Sequence, residues 1–155
     1  VGLRFERGPD ARAGRATLKL HILAYGKAGR GPEAELTSRY LKRIAWGATL
    51  VELADHAPLP PPPPGSRTVV LDERGEALSS AALAARLGAW RDQGIREVRF
   101  LLGPADGHGA ETRAGADLLL AFGPATWPHL LARAMLAEQL YRATSILAGH
   151  PYHRD

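Results

Sequence analysis

Hydrophobic residues recur along this chain in two alternating rhythms. "TLKLHILAY" (17–25) sets Leu18, Leu20 and Ile22 against Lys19 and His21, the two-residue period of a strand. A turn, "GKAGRG", follows. "PEAELTSRYLKRIA" (32–45) places Leu36, Tyr40, Leu41 and Ile44 on one stripe. Pro32 stands at a first-turn position and acids fill that turn, so the stretch predicts a helix. "ATLVEL" (48–53) reads as a second strand and "RTVVLD" (67–72) as a compact buried one. "SSAALAARLGAWRDQG" (79–94) predicts a helix with a serine cap, a stripe of Leu83, Leu87 and Trp90, and a stop at Gly94. "REVRFLL" (96–102) and "DLLLAF" (117–122) are strands, separated by a glycine-rich turn that holds a short helix. "HLLARAMLAEQLYRATSILAG" (129–149) is the longest helix. Its Leu130, Leu131, Met135, Leu140 and Leu147 are core or subunit-contact positions. Its Glu138 and Arg142 are four apart and can pair on the surface.

Strands that alternate with helices predict an α/β domain with a largely parallel sheet. Two stretches stand outside the pattern. "PLPPPPPG" (58–65) has five consecutive prolines, which fit neither a helix nor a central strand. It reads as a stiff connector of about 3 Å per residue. Residues 1–16 show no sustained period, and they read as a loose, disordered extension to a single domain over 17–155. In open parallel sheets, ligands bind beyond the carboxyl ends of the strands. Three loops qualify: Glu73–Gly75, Gly103–Gly109 and Gly123–Pro128. All carry glycine and two carry proline, which predicts a pocket built from backbone and suited to a planar base or nucleoside.

Composition narrows the classes. A chain of 155 residues supports one core. Hydrophobic residues at 45% and charged residues at 23% are the mix of a soluble globular protein. The absence of cysteine excludes disulfides, a thiol nucleophile and cysteine-built metal sites, and suits a reducing cytosol. No apolar run approaches the roughly 20 residues that span a bilayer. The net charge of +4 favours anionic partners such as RNA, although the excess of arginine over lysine also follows from a GC-rich genome.

The final residues, "GHPYHRD", concentrate chemistry. His150 and His153 can move protons, Tyr152 can stack, Arg154 can hold a phosphate, and Pro151 fixes a bend. His150 and His153 with Glu138 also have a spacing that zinc can use. Pro151 makes a helical histidine pair awkward and no third ligand lies nearby in sequence, so a metal enzyme is disfavoured.

"TVVLDERG", "LLGPADG" and above all "PHLLARAMLAEQLYRATSILAGHPYHR" together resemble the RlmH-type methyltransferases of the SPOUT superfamily. The likeness runs from about Leu18 to Asp155. It implies a mostly parallel sheet with helices on both faces, a C-terminal deep trefoil knot and a homodimer. It implies S-adenosylmethionine as cofactor and N3 of a pseudouridine in large-subunit ribosomal RNA, within the ribosome, as the methyl acceptor. A cytoplasmic location follows, with no metal and no membrane partner. Cofactor contacts would fall on Leu71, on Gly103, Pro104 and Gly107, and on Phe122, Gly123, Pro124, Ala125, Thr126 and Trp127. The second loop departs from the family's Gly-Gly-Pro-Glu-Gly, since Pro104 removes an amide donor and a flexible glycine. The proline spacer replaces a charged helical segment found in many members.

Methyl transfer to an imide nitrogen needs a base or an anion stabiliser, because that nitrogen carries a proton. His153 is the leading base, with Asp155 and the terminal carboxylate as alternatives, and Tyr152 and Arg154 complete the catalytic set. His129, Arg133, Arg142, His150, Tyr152 and Arg154 are the expected substrate contacts. The duller readings are a helix-start hydrogen bond for His129, a packed ring that pins the tail for Tyr152, and a surface ion pair for Arg142 with Glu138. The tail would act as a substrate lid. The rival on the same scaffold is a non-catalytic RNA- or ribosome-binding module.

Overall fold

The computed structural model describes residues 17–104 and 107–154. The expected extension over 1–16 lies outside these residues, as do Ala105, Asp106 and Asp155. Five strands form one sheet: β1 (Lys19–Tyr25), β2 (Ala48–Leu53), β3 (Ser66–Glu76), β4 (Glu97–Leu102) and β5 (Leu118–Leu120). They run in the order β2-β1-β4-β3-β5, and every pairing is parallel. The helices are α1 (Pro32–Arg43), α2 (Ser80–Asp92), the short α3 (Ala110–Ala114) and α4 (His129–Leu147). None among the described residues is long and apolar enough to cross a membrane.

Local chemistry accounts for the helix ends. Pro32 opens α1, with Glu33 and Glu35 in its first turn and Lys42 and Arg43 in its last, which suits both ends of the helix dipole. The Ser79 hydroxyl accepts from the Ala82 amide at 3.0 Å and caps α2, and Gly94 adopts φ 86° just beyond it.

Leu20, Ile22 and Ala24 of β1, Val98, Phe100 and Leu102 of β4, and Val69 of β3 point one way from the sheet. They meet Leu83, Leu87 and Trp90 of α2 and Leu136, Leu140 and Ala143 of α4 in one core. Helix α4 packs against both α1 and α2. The three long helices share this face. On the other face, Arg99 of β4 donates to the Pro60 carbonyl and Tyr25 of β1 donates to the Ala57 carbonyl at 2.6 Å. The proline segment lies across that face as a cover.

One correction concerns β3. The stretch Glu73–Gly75 was expected as a loop, but it lies inside the strand as an outsized bulge. Leu71 and Glu76 both pair with Leu120, so the residues between them leave the ladder and return. A Cβ on Gly75 would stand 2.6 Å from the Leu119 carbonyl carbon and oxygen. Only a residue without a side chain lets β3 come back onto β5.

Arg133 is a second correction. It was expected to serve RNA or the partner subunit, yet it is 1% exposed. Its guanidinium donates to Glu52 of β2 at 2.6 Å and to the Gly26 carbonyl at 3.3 Å, while its Nε is buried without a partner among the described residues. The Ala28 amide and then Arg133 hold the Glu52 carboxyl below the ordinary glutamate range. This pair ties the carboxyl end of the edge strand β2 to α4.

Gly75→Ala is expected to cost about 1–3 kcal/mol in chemical denaturation, because the obstructing atoms are backbone and cannot swing aside. Arg133→Met is expected to cost about 2 kcal/mol, less than the roughly 3–5 kcal/mol of a fully buried pair, since Glu52 keeps contact with water. The Glu52 contribution is full above the ordinary glutamate range and is lost as pH falls through its lowered value. Urea titrations across the acid range should therefore show a partly flattened acid limb in Arg133→Met, with the Ala28 amide still in place.

Candidate functional site

The carboxyl ends of β3, β4 and β5 open into a cleft of about 470 Å³. Leu71 and the bulge Asp72–Arg74 form one wall, Leu102 to Pro104 with Gly107 and His108 a second, and Leu120 to Gly123 with Ala125 to Trp127 a third. His129 and Ala132 of α4 close the base. Of the ten positions expected to hold a cofactor, Leu71, Gly103, Pro104, Gly107, Phe122, Gly123, Ala125, Thr126 and Trp127 line this space. Pro124 lies in the same loop but does not line it.

Hydrogen bonds between the walls fix its shape. Asp72 accepts from the Arg113 guanidinium at 2.6 Å and from the Arg74 amide at 2.8 Å. Burial alone would raise the Asp72 carboxyl, but these partners outweigh it and hold it below the ordinary aspartate range. Thr126 donates to Glu73 at 3.2 Å, which links the first and third walls. The Trp127 indole donates to the Phe122 carbonyl at 3.1 Å and closes the third loop on itself, leaving the ring 42% exposed. In the second loop, the Gly107 amide donates to the Pro104 carbonyl at 2.8 Å and Gly107 takes φ 86°. That turn needs no amide at position 104, so the loss of a donor there leaves its geometry intact.

His108 was not singled out from the sequence, yet its ring lies in the cleft beneath Gly103. A histidine between two glycines carries no periodicity, and its only signal was its place in a sheet-edge loop. The cleft suits a nucleoside-sized ligand, with main chain exposed at Gly103, Gly107 and Gly123 and a volume inside the usual range for such sites.

The expected catalytic tail lies elsewhere. Tyr152 packs edge-on against Tyr141 with centroids 4.6 Å apart and donates to Glu138 at 2.7 Å. Arg142 stands over the Tyr152 ring at 4.7 Å, pairs with Glu138 at 2.8 Å and donates to His153 Nδ1 at 3.1 Å. The bond to Glu138 raises the Arg142 guanidinium above its ordinary range. Burial, then hydrogen bonds to Tyr40 and Glu138, push the Tyr152 hydroxyl above the ordinary tyrosine range, so it stays neutral. The Glu138–Arg142 pair is thus a half-buried clamp on the tail, where a plain surface pair was expected. His150 accepts from the Tyr152 amide at 3.2 Å, and Arg154 is exposed.

His129 Nε2 bonds the Tyr25 carbonyl at 2.9 Å, the helix-start role that was its duller reading. From His129 at the cleft to Arg142 at the tail, α4 spans about 20 Å. Within one chain the described tail residues contact Glu138, Tyr141 and Arg142 and do not line the cleft. Among the described residues, no group of three or more histidines and carboxylates is arranged to hold a metal ion. The Glu138 oxygen that a metal would need is taken by Arg142 and Tyr152.

Comparison with known proteins agrees with this geometry. The family described as "Predicted SPOUT methyltransferase" matches residues 18–153. A protein of Novosphingobium aromaticivorans called "Ribosomal RNA large subunit methyltransferase H" is 64% identical over 138 residues, covering 88% of this chain and 98% of the relative. A Rhizorhabdus wittichii protein of the same name is 65% identical over 137 residues, covering 88% and 98%. One from Zymomonas mobilis is 56% identical over 141 residues, covering 89% and 99%. With a parallel sheet, three loops gathered into one cleft at its carboxyl edge and a family match over almost the whole described chain, this protein belongs to the SPOUT methyltransferase family.

Proposed function

We propose that this protein transfers a methyl group from S-adenosylmethionine to N3 of a pseudouridine in large-subunit ribosomal RNA. The observation that carries the reading is the convergence of nine expected cofactor positions on one cleft, in a chain 64% identical to a relative named for that RNA. The bound cofactor supplies an electrophilic methyl group. The protein's part is to hold and to orient. Gly103 and Gly107 offer main chain, while Leu71, Phe122 and Trp127 offer apolar surface for an adenine.

The proton on N3 must leave as the nitrogen attacks. His153 is the base of the tail; its Nδ1 accepts from Arg142 in this arrangement, so taking the imide proton there requires Arg142 to give up that contact. Arg154, exposed beside it, faces a phosphate or the imide anion. Tyr152 anchors the tail through Tyr141 and Glu138, and this placement favours the pinning role over stacking on the base.

The distance from cleft to tail favours a composite site, with one subunit's tail serving the other's cleft in a homodimer. An apolar groove of about 470 Å³ between α1, α2 and α4, lined by Leu36, Tyr40, Leu131 and Met135, offers surface for that partner. The trefoil knot belongs to the same reading. It rests on the family match over residues 18–153. A cytoplasmic location follows from the ribosomal substrate.

Calorimetric titration of the purified protein with S-adenosylmethionine should show micromolar binding. Incubation with the cofactor and ribosomes that lack the mark should then add one methyl group to a pseudouridine, read by mass mapping. Ribosome binding without cofactor binding would instead favour a non-catalytic module. His153→Ala should lower the single-turnover rate by about 10²–10⁴-fold while cofactor affinity stays unchanged. Tyr152→Phe should cost about 1 kcal/mol of stability in thermal or urea unfolding, through loss of the bond to Glu138.

A further inference from the structure

His108 forms the floor of the cleft under Gly103. A Cβ on Gly103 would stand 2.7 Å from the ring's Nε2 and 2.8 Å from its Cδ2, so ring and main chain are in direct contact. Nε2 lies 3.2 Å from the Leu101 carbonyl oxygen. A carbonyl only accepts, so Nε2 carries the hydrogen, and a neutral ring keeps Nδ1 as an acceptor. One side chain thus connects the end of β4, the glycine loop and the ligand space.

The charged groups around the cleft are few. Asp72, Glu73 and Arg74 come from β3, Arg113 from α3, and His129 from the start of α4. Among the described residues, Asp72 is paired with Arg113 and held by Arg74, and Glu73, which accepts from Thr126, remains an exposed carboxylate lining the cleft. Burial pushes the His108 ring below the ordinary histidine range, against the opposing pull of the Leu101 carbonyl and Asp72.

We propose that His108 is a positioning residue for the methyl donor, held uncharged so that the cleft accepts a sulfonium cation while its ring supports the loop at Gly103. This rests on the reading of the cleft as the donor site. A protonated ring would set like charges side by side and weaken the donor. The demethylated product is a thioether without that charge and does not meet the penalty. By reciprocity, a bound sulfonium should lower the ring's pKa further, and the product should not.

The test is calorimetric titration of the full chain with S-adenosylmethionine and with S-adenosylhomocysteine from about pH 8 to about pH 4.5, a window carried below the ordinary histidine range because burial lowers the His108 ring. The donor's Kd should rise roughly five- to tenfold more than the product's as pH falls, an ordinary size for coupled sites. In His108→Gln, which retains a donor for the Leu101 carbonyl but takes no proton, the two ligands should weaken in parallel. Equal weakening of both ligands in the wild type, or a pH-dependent difference that survives in the variant, overturns the proposal. Nitrogen NMR of the wild-type imidazoles gives a second readout that needs no variant. The His108 ring should be the Nε2–H tautomer and should titrate lower with donor than with product. An Nδ1–H ring, or a pKa that the donor does not move, overturns it as well. Failure of either ligand to bind at any pH would remove the donor-site reading itself and this inference with it.

Discussion

The return of β3 onto β5 is the constraint on which the rest of the molecule depends. The strand leaves its ladder after Leu71, and Glu76 re-enters beside the same partner, Leu120. The residues thrown outward form a cleft wall, with Asp72 holding Arg113 and Glu73 holding Thr126. The strand can close again only because Gly75 lies flat against the Leu119 main chain. One backbone event therefore makes the wall, fastens it to two other loops and restores the sheet. A strand that simply ended at Asp72 would leave those side chains on a free loop, where each order would cost entropy that the ladder now supplies.

Helix α4 divides its work along its length. Its first turn borders the cleft through His129 and Ala132, its second is bolted to the sheet by Arg133, and its central and later turns grip the tail through Glu138, Tyr141 and Arg142. The buried guanidinium is half of an ion pair whose carboxylate stays wet, so the desolvation cost falls mainly on one partner. Such a bolt fixes the register between helix and sheet, and it sets the distance between the cleft and the tail.

Much of this was legible in the sequence, for physical reasons. Alternation in "TLKLHILAY" and "REVRFLL" survives in β1 and β4 because one face of the sheet is packed and the other is only partly covered. Ser79 and Gly94 mark α2 because helix ends have chemical requirements of their own. The loops of the cleft were found because glycine at a sheet edge has few other uses. What escaped detection had no local signature. "DERG" has the composition of a turn, and only its neighbour across the sheet makes it a bulge. An arginine on a helix is normally exposed, and nothing near Arg133 in sequence announces Glu52, 81 residues away.

The proline cover over the second face has a chemical polarity of its own. Proline carries no N–H, so the run from Pro60 to Pro64 presents only carbonyl oxygens and hydrocarbon, and the Pro60 carbonyl is already spent inward on Arg99. Those five residues cannot extend the sheet to a passing strand, nor can their main chain donate to an anion.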